Sequence, residues 1–130
     1  MSSPIEERIR SVRWEQYDGP EDYRPGDLVE ALIDLANFDQ SRARQGLESR
    51  VLFAVGNDHA GTYYPAILEA ADILIEIEQK SEVPESRKCA RAVLNTLYYF
   101  TADVGTHVGH SVEQIESFVR GRLETYADEV

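Results

Sequence analysis

The stretch Pro65-Ala66-Ile67-Leu68-Glu69-Ala70-Ala71-Asp72-Ile73-Leu74-Ile75-Glu76-Ile77-Glu78-Gln79 decides the fold. Its residues Ile67, Ala70, Ala71 and Leu74 recur at intervals of three and four, the spacing that puts side chains on one face of an α-helix. A strand would need strict alternation over a shorter run. Leu68, Ile75 and Ile77 widen the apolar stripe, as expected of a helix touching two neighbours. The helix should open near Thr62 to Pro65 and end near Gln79.

The same period extends in both directions from this segment, broken by turn residues every 20 residues or so. Toward the N-terminus a helix should run from about Ser41 to Val55, burying Ala43, Leu47, Val51 and Ala54 and stopping at Gly56-Asn57, a pair suited to a left-handed cap. Before it, Asp27 should cap a helix reaching Asn37, with Leu28, Leu32, Leu35 and Ala36 inward. The first helix should start at Ser3 and Pro4, with Glu6 completing a capping box, and continue to about Tyr17, where Asp18-Gly19-Pro20 ends it. Ile5, Ile9 and Val12 share its inner face. Toward the C-terminus, Pro84 opens a helix that buries Ala90, Val93, Leu94 and Leu97 and stops near Gly105. Ser111 caps a last one carrying Ile115, Phe118, Val119, Leu123 and Tyr126. Six helices in one domain over residues 1–130 follow, an all-α fold. They pair naturally as hairpins near 4–37, 41–79 and 84–128, an α-solenoid; a compact six-helix bundle is the alternative arrangement.

Composition narrows the functions. With 42% hydrophobic and 28% charged residues the chain can build a core. The sequence lacks a leader peptide pattern and an apolar run of the roughly 20 residues that span a bilayer, which places the protein in the cytoplasm and off the membrane. Cys89 stands alone, so no internal disulfide forms and it reads as a packing residue. The net charge of −11 repels phosphate backbones, which argues against direct nucleic-acid binding and for a basic protein partner. No cofactor is implied, and no oligomeric state.

Catalytic chemistry finds little support. His107 and His110, with Asp58, His59 and Asp103, have the ligand types for a metal but straddle glycines, a turn rather than one rigid face. His59 reads as a turn residue that satisfies a helix end. There is no nucleophile elbow and no phosphate-binding glycine loop. The expectation is a protein without enzymatic activity.

Charge distribution is more informative. No Lys or Arg occurs from Gly26 to Ser41 or from Val51 to Gln79, so two helices carry acid alone. Asp27, Glu30 and Asp34 form a stripe on one, and Glu69, Asp72 and Glu76 repeat it on the other. Arg8, Arg10, Arg13, Arg42, Arg44, Arg50, Arg87, Lys88 and Arg91 gather on the alternate helices. In a stack of hairpins, alternate helices line opposite surfaces, so the two stripes should fuse into one acidic face. Tyr63 and Tyr64, and Tyr98, Tyr99 and Phe100, are adjacent on what read as helices, so some must reach the surface and serve an interface.

Trp14, Tyr17, Gly19-Pro20, the Leu28 to Leu35 segment and His59-Ala60-Gly61-Thr62-Tyr63 leading into the long helix resemble the small stand-alone bacterial HEAT-repeat proteins. The resemblance covers roughly residues 14 to 100, with Ala60 standing where the family has glutamine. It implies an α-solenoid for protein binding, without catalytic residues; proteins similar to it include immunity proteins that neutralise antibacterial toxins. The expected function is therefore an acidic immunity or inhibitor protein covering the basic cleft of a toxin such as a nuclease. A HEAT-like adaptor without a toxin partner is the alternative. The expected partner-binding residues are the two acidic triplets with Tyr63, Tyr64, Tyr98 and Tyr99.

Overall fold

In the computed structural model, the described residues are 4–14, 25–39, 46–57, 61–64, 66–102 and 112–126. Within them lie α1 (Pro4–Ser11), α2 (Pro25–Asn37), α3 (Leu47–Val55), α4 (Ile67–Lys80), α5 (Pro84–Tyr98) and α6 (Val112–Leu123). The fold is all-α, as the periodicity requires. Strand is limited, among the described residues, to three two-residue pieces, β1 (Gly56–Asn57), β2 (Thr62–Tyr63) and β3 (Thr101–Ala102), with β2 antiparallel to β1 and parallel to β3.

The inward faces are those the spacing indicates. Leu28, Leu32, Leu35, Val51, Leu74, Leu94 and Leu97 are fully buried. Ala54 and Phe118 are exceptions, each only half-buried; the Arg122 guanidinium carbon lies 5.5 Å from the Phe118 ring centroid, so α6 turns its fully buried edge through Ile115, Val119 and Leu123. Trp14 is buried, and its indole N–H donates to the Ile9 carbonyl at 2.9 Å, capping the end of α1. That bond helps explain why α1 stops at Ser11 rather than near Tyr17.

Other boundaries also shift for local reasons. Asp27 lies within the first turn of α2, two residues past its start at Pro25. α3 begins only after Gly46, whose φ of 98° no helix can continue through. At its far end Gly56 is extended rather than left-handed and opens β1. A Cβ there would sit 2.0 Å from the Thr62 carbonyl oxygen and 2.6 Å from the Tyr63 Cα, so β1 and β2 approach this closely only because the residue is glycine. Gly56→Ala should force the ladder apart and destabilise by about 1 to 3 kcal/mol, seen as a lower urea midpoint. An unchanged midpoint would show that the strands separate at no cost. Strand pairing also delays the start of α4 to Ile67 and ends α5 at Tyr98. The expected caps Ser3 and Ser111, along with Ala43 and Pro65, lie outside the described residues.

The helices do not pair as the three expected hairpins. The closest pairs are α4 with α5, joined by Ser81-Glu82-Val83, and α2 with α3; α1 packs on α2 and α4. α5 is central, packing on α2, α3, α4 and α6. The α3–α5 and α4–α6 contacts of stacked hairpins are present, but α3 and α4 are not close partners, so the expected middle hairpin over 41–79 is replaced by pairings one helix out of step. The result is an all-α packing built around α5. The buried Ser86 hydroxyl ties it together by donating to the Ala36 carbonyl oxygen at 3.2 Å, at the C-terminal end of α2.

Candidate functional site

Basic residues of the other helices meet acids of α2 and α4 across the helix seams, partly buried at Asp34 and closer to the surface elsewhere. Arg50 of α3 pairs with Asp34, whose side chain is 5% exposed, and lies 3.9 Å from Glu30. Arg8 of α1 reaches Glu76 at 2.5 Å, and Arg122 of α6 reaches Asp72 at 3.2 Å. Arg91 of α5 approaches Glu78, which also accepts a 2.7 Å bond from the Tyr126 hydroxyl. Burial first, and then that bond, push the Tyr126 phenol up to about 12.

The charge sorting is thus largely a scheme for joining helices. Asp27 and Glu30 are exposed and Glu69 is half-buried, while Asp34 is buried against α3. α2 and α4 are not close packing partners, so the structure does not bring the two triplets into one continuous face. The expectation of a shared acidic face is corrected here. Its premise was that alternate helices stack, whereas α2 packs mainly on α1, α3 and α5, and α4 on α1, α5 and α6.

The tyrosines divide as well. Tyr63 and Tyr64 are buried, contrary to the expectation of surface exposure. They stand at the end of an extended segment in the middle of the small sheet rather than on a helix, and the Tyr64 N–H donates to the Val55 carbonyl at 2.8 Å. Tyr98 is half-buried against the core and Tyr99 is 59% exposed, their ring centroids 5.0 Å apart in an edge-on contact.

Beside them opens a shallow groove of about 550 Å³, lined by Tyr98 of α5 and by Glu113, Glu116, Ser117, Arg120 and Glu124. These last residues follow intervals of one, three and four, so they form the outer stripe of α6 and the 3-10 turn after it. Glu113 and Glu124 are exposed and make none of the ion pairs above. This stripe was legible in the sequence; the basic residues Arg120 and Arg122 hid it by making the helix look mixed. A second depression of about 700 Å³, between Pro4, Ile5, Ala36 and Val83, is more apolar, and its Glu76 is already held by Arg8.

The three histidines, with Asp58 and Asp103, lie outside the described residues. Among the described residues no group of three His, Cys, Asp or Glu is placed to hold a metal ion. Burial, reinforced by Glu48, pushes the Cys89 thiol up to about 11, which makes it a poor nucleophile at neutral pH. No helix among the described residues is long and apolar enough to cross a membrane. No family model, curated protein or solved structure matches the chain.

Proposed function

We propose that the chain is an acidic protein-binding module, an inhibitor or immunity-type protein that covers the basic cleft of a toxin, with nucleases as the leading class, and performs no catalysis of its own. The observation that carries this reading is the α5–α6 groove. There the outward carboxylates Glu113 and Glu124 share the groove lining with the half-buried Tyr98, whose ring touches the exposed Tyr99, while the acids of α2 and α4 are largely engaged with neighbouring helices. Carboxylates beside a half-buried tyrosine combine long-range attraction for a basic partner with ring area for close contact. The net charge of −11 acts in the same direction.

The test begins with co-expression of any toxin encoded beside this gene: protection of the host cell supports the reading, and killing despite stable co-expression overturns it. With the partner in hand, Glu113→Lys/Glu124→Lys should leave the circular dichroism unchanged. It should slow association by about tenfold or more at low ionic strength and less at high salt. Association at the wild-type rate in low salt would remove this groove from the interface.

A further inference from the structure

We propose that α1, together with Trp14, is a detachable strap: it opens as a unit from the seam between α2 and α4 while α2 to α6 stay folded, and its opening uncovers apolar core surface. The packing sets up this role. α2 and α4 are not close partners, and α1 packs on both, so it closes a gap that the larger helices leave between them. Ile9 belongs to the central core cluster, so lifting α1 exposes the apolar side chains around it.

α1 has a small share of that core. Of its residues only Ile9 is fully buried, whereas α4 buries Ile67, Ala70, Ala71, Ile73, Leu74 and Ile77. The second anchor is Trp14, buried just beyond the helix, and its indole N–H bonds back to the Ile9 carbonyl at 2.9 Å. The two anchors are therefore tied to each other and leave their seats together. A helix of 8 residues has no stability of its own in water, so α1 holds its shape only while it is seated.

The first turn stands off from the body. Pro4 is exposed and Ile5 half-buried, and both border the depression of about 700 Å³ that Ala36, Lys80 and Val83 also line. Packing is thus incomplete along this edge of the strap. The polar ties across the seam lie near the surface: the side chains of Arg8 and Glu76 are 38% and 21% exposed, and the bond from Asn37 to Glu6 is exposed and long at 3.4 Å. Ties in contact with water contribute little and are screened by salt. Elements with few buried contacts and solvent-facing polar ties are the ones that open locally, below the free energy of global unfolding.

Trp14 is the single tryptophan of the chain, so its fluorescence reports the strap alone. In a urea titration of the full chain, Trp14 emission should shift to the red, and the neutral dye Nile red should brighten, before the far-ultraviolet circular dichroism of the other helices is lost. Under native conditions the Ile9 and Arg10 amides should exchange with deuterium at least about tenfold faster than those of Leu94 and Leu97. Ile9→Ala should make Trp14 several-fold more accessible to acrylamide while the circular dichroism midpoint barely moves. Coincident transitions from both probes in the unmodified chain, or equal exchange in α1 and α5, would overturn the strap. An Ile9→Ala chain that no longer folds would do the same, because the body would then depend on α1. A Trp14 shift without Nile red brightening would show that the seam closes behind α1 and would overturn the uncovering.

Discussion

Arg50→Met lowers the stability of the folded chain by about 3 to 5 kcal/mol, the loss expected when a buried ion pair is broken from one side. Arg50 is the only base among the described residues that reaches two carboxylates of α2, and its partner Asp34 has a side chain only 5% exposed. Methionine preserves most of the volume of the stem, so the change isolates the charge. It takes the Arg50 guanidinium away from an Asp34 carboxylate that stays desolvated between α2 and α3, and a buried carboxylate that loses such a cation costs more than the pair was worth. The double variant Asp34→Leu/Arg50→Met should therefore recover much of the loss, since it removes that charge as well. Urea unfolding measures both. A drop below about 1 kcal/mol for the single variant would mean that Asp34 regains water when Arg50 is absent, as a surface pair does.

Leu94→Ala lowers stability by about 2 to 5 kcal/mol. Leu94 is fully buried on α5, the helix that touches α2, α3, α4 and α6, so the surrounding side chains are held from several directions and cannot close over the missing methyl groups. Leu68→Ala, at a half-buried position on α4, should cost clearly less because water already reaches part of the side chain. Equal losses at the two positions would show that burial is not what sets the cost.

Both predictions depend on the interior, where sequence patterning is most legible. The exterior is different. The acidic residues of α2 and α4 sit at helical spacing, and that spacing is the same whether a stripe faces water or a neighbouring arginine. The partners that decide the matter are 16, 50 and 68 residues away, for Asp34, Asp72 and Glu76 respectively. A local pattern cannot report contacts at that range. The α6 stripe of Glu113, Glu116, Arg120 and Glu124 was equally visible as spacing. Only its position beside Tyr98 makes it a candidate site.

What the sequence by itself determined was the all-α class, the presence of six helices and the identity of most buried faces. All three follow from a covalent repeat of 3.6 residues per turn and from the tendency of apolar side chains to leave water, which operate within each segment. The tertiary structure decided the pairing of α2 with α3 and α4 with α5, the extended segments at Gly56–Asn57 and Thr62–Tyr63, and the burial of Tyr63 and Tyr64. It also decided which carboxylates are spent on joining helices and which remain outward. Those outcomes depend on how whole faces fit one another, and the free-energy differences between alternative packings are carried by contacts between residues that the chain keeps far apart.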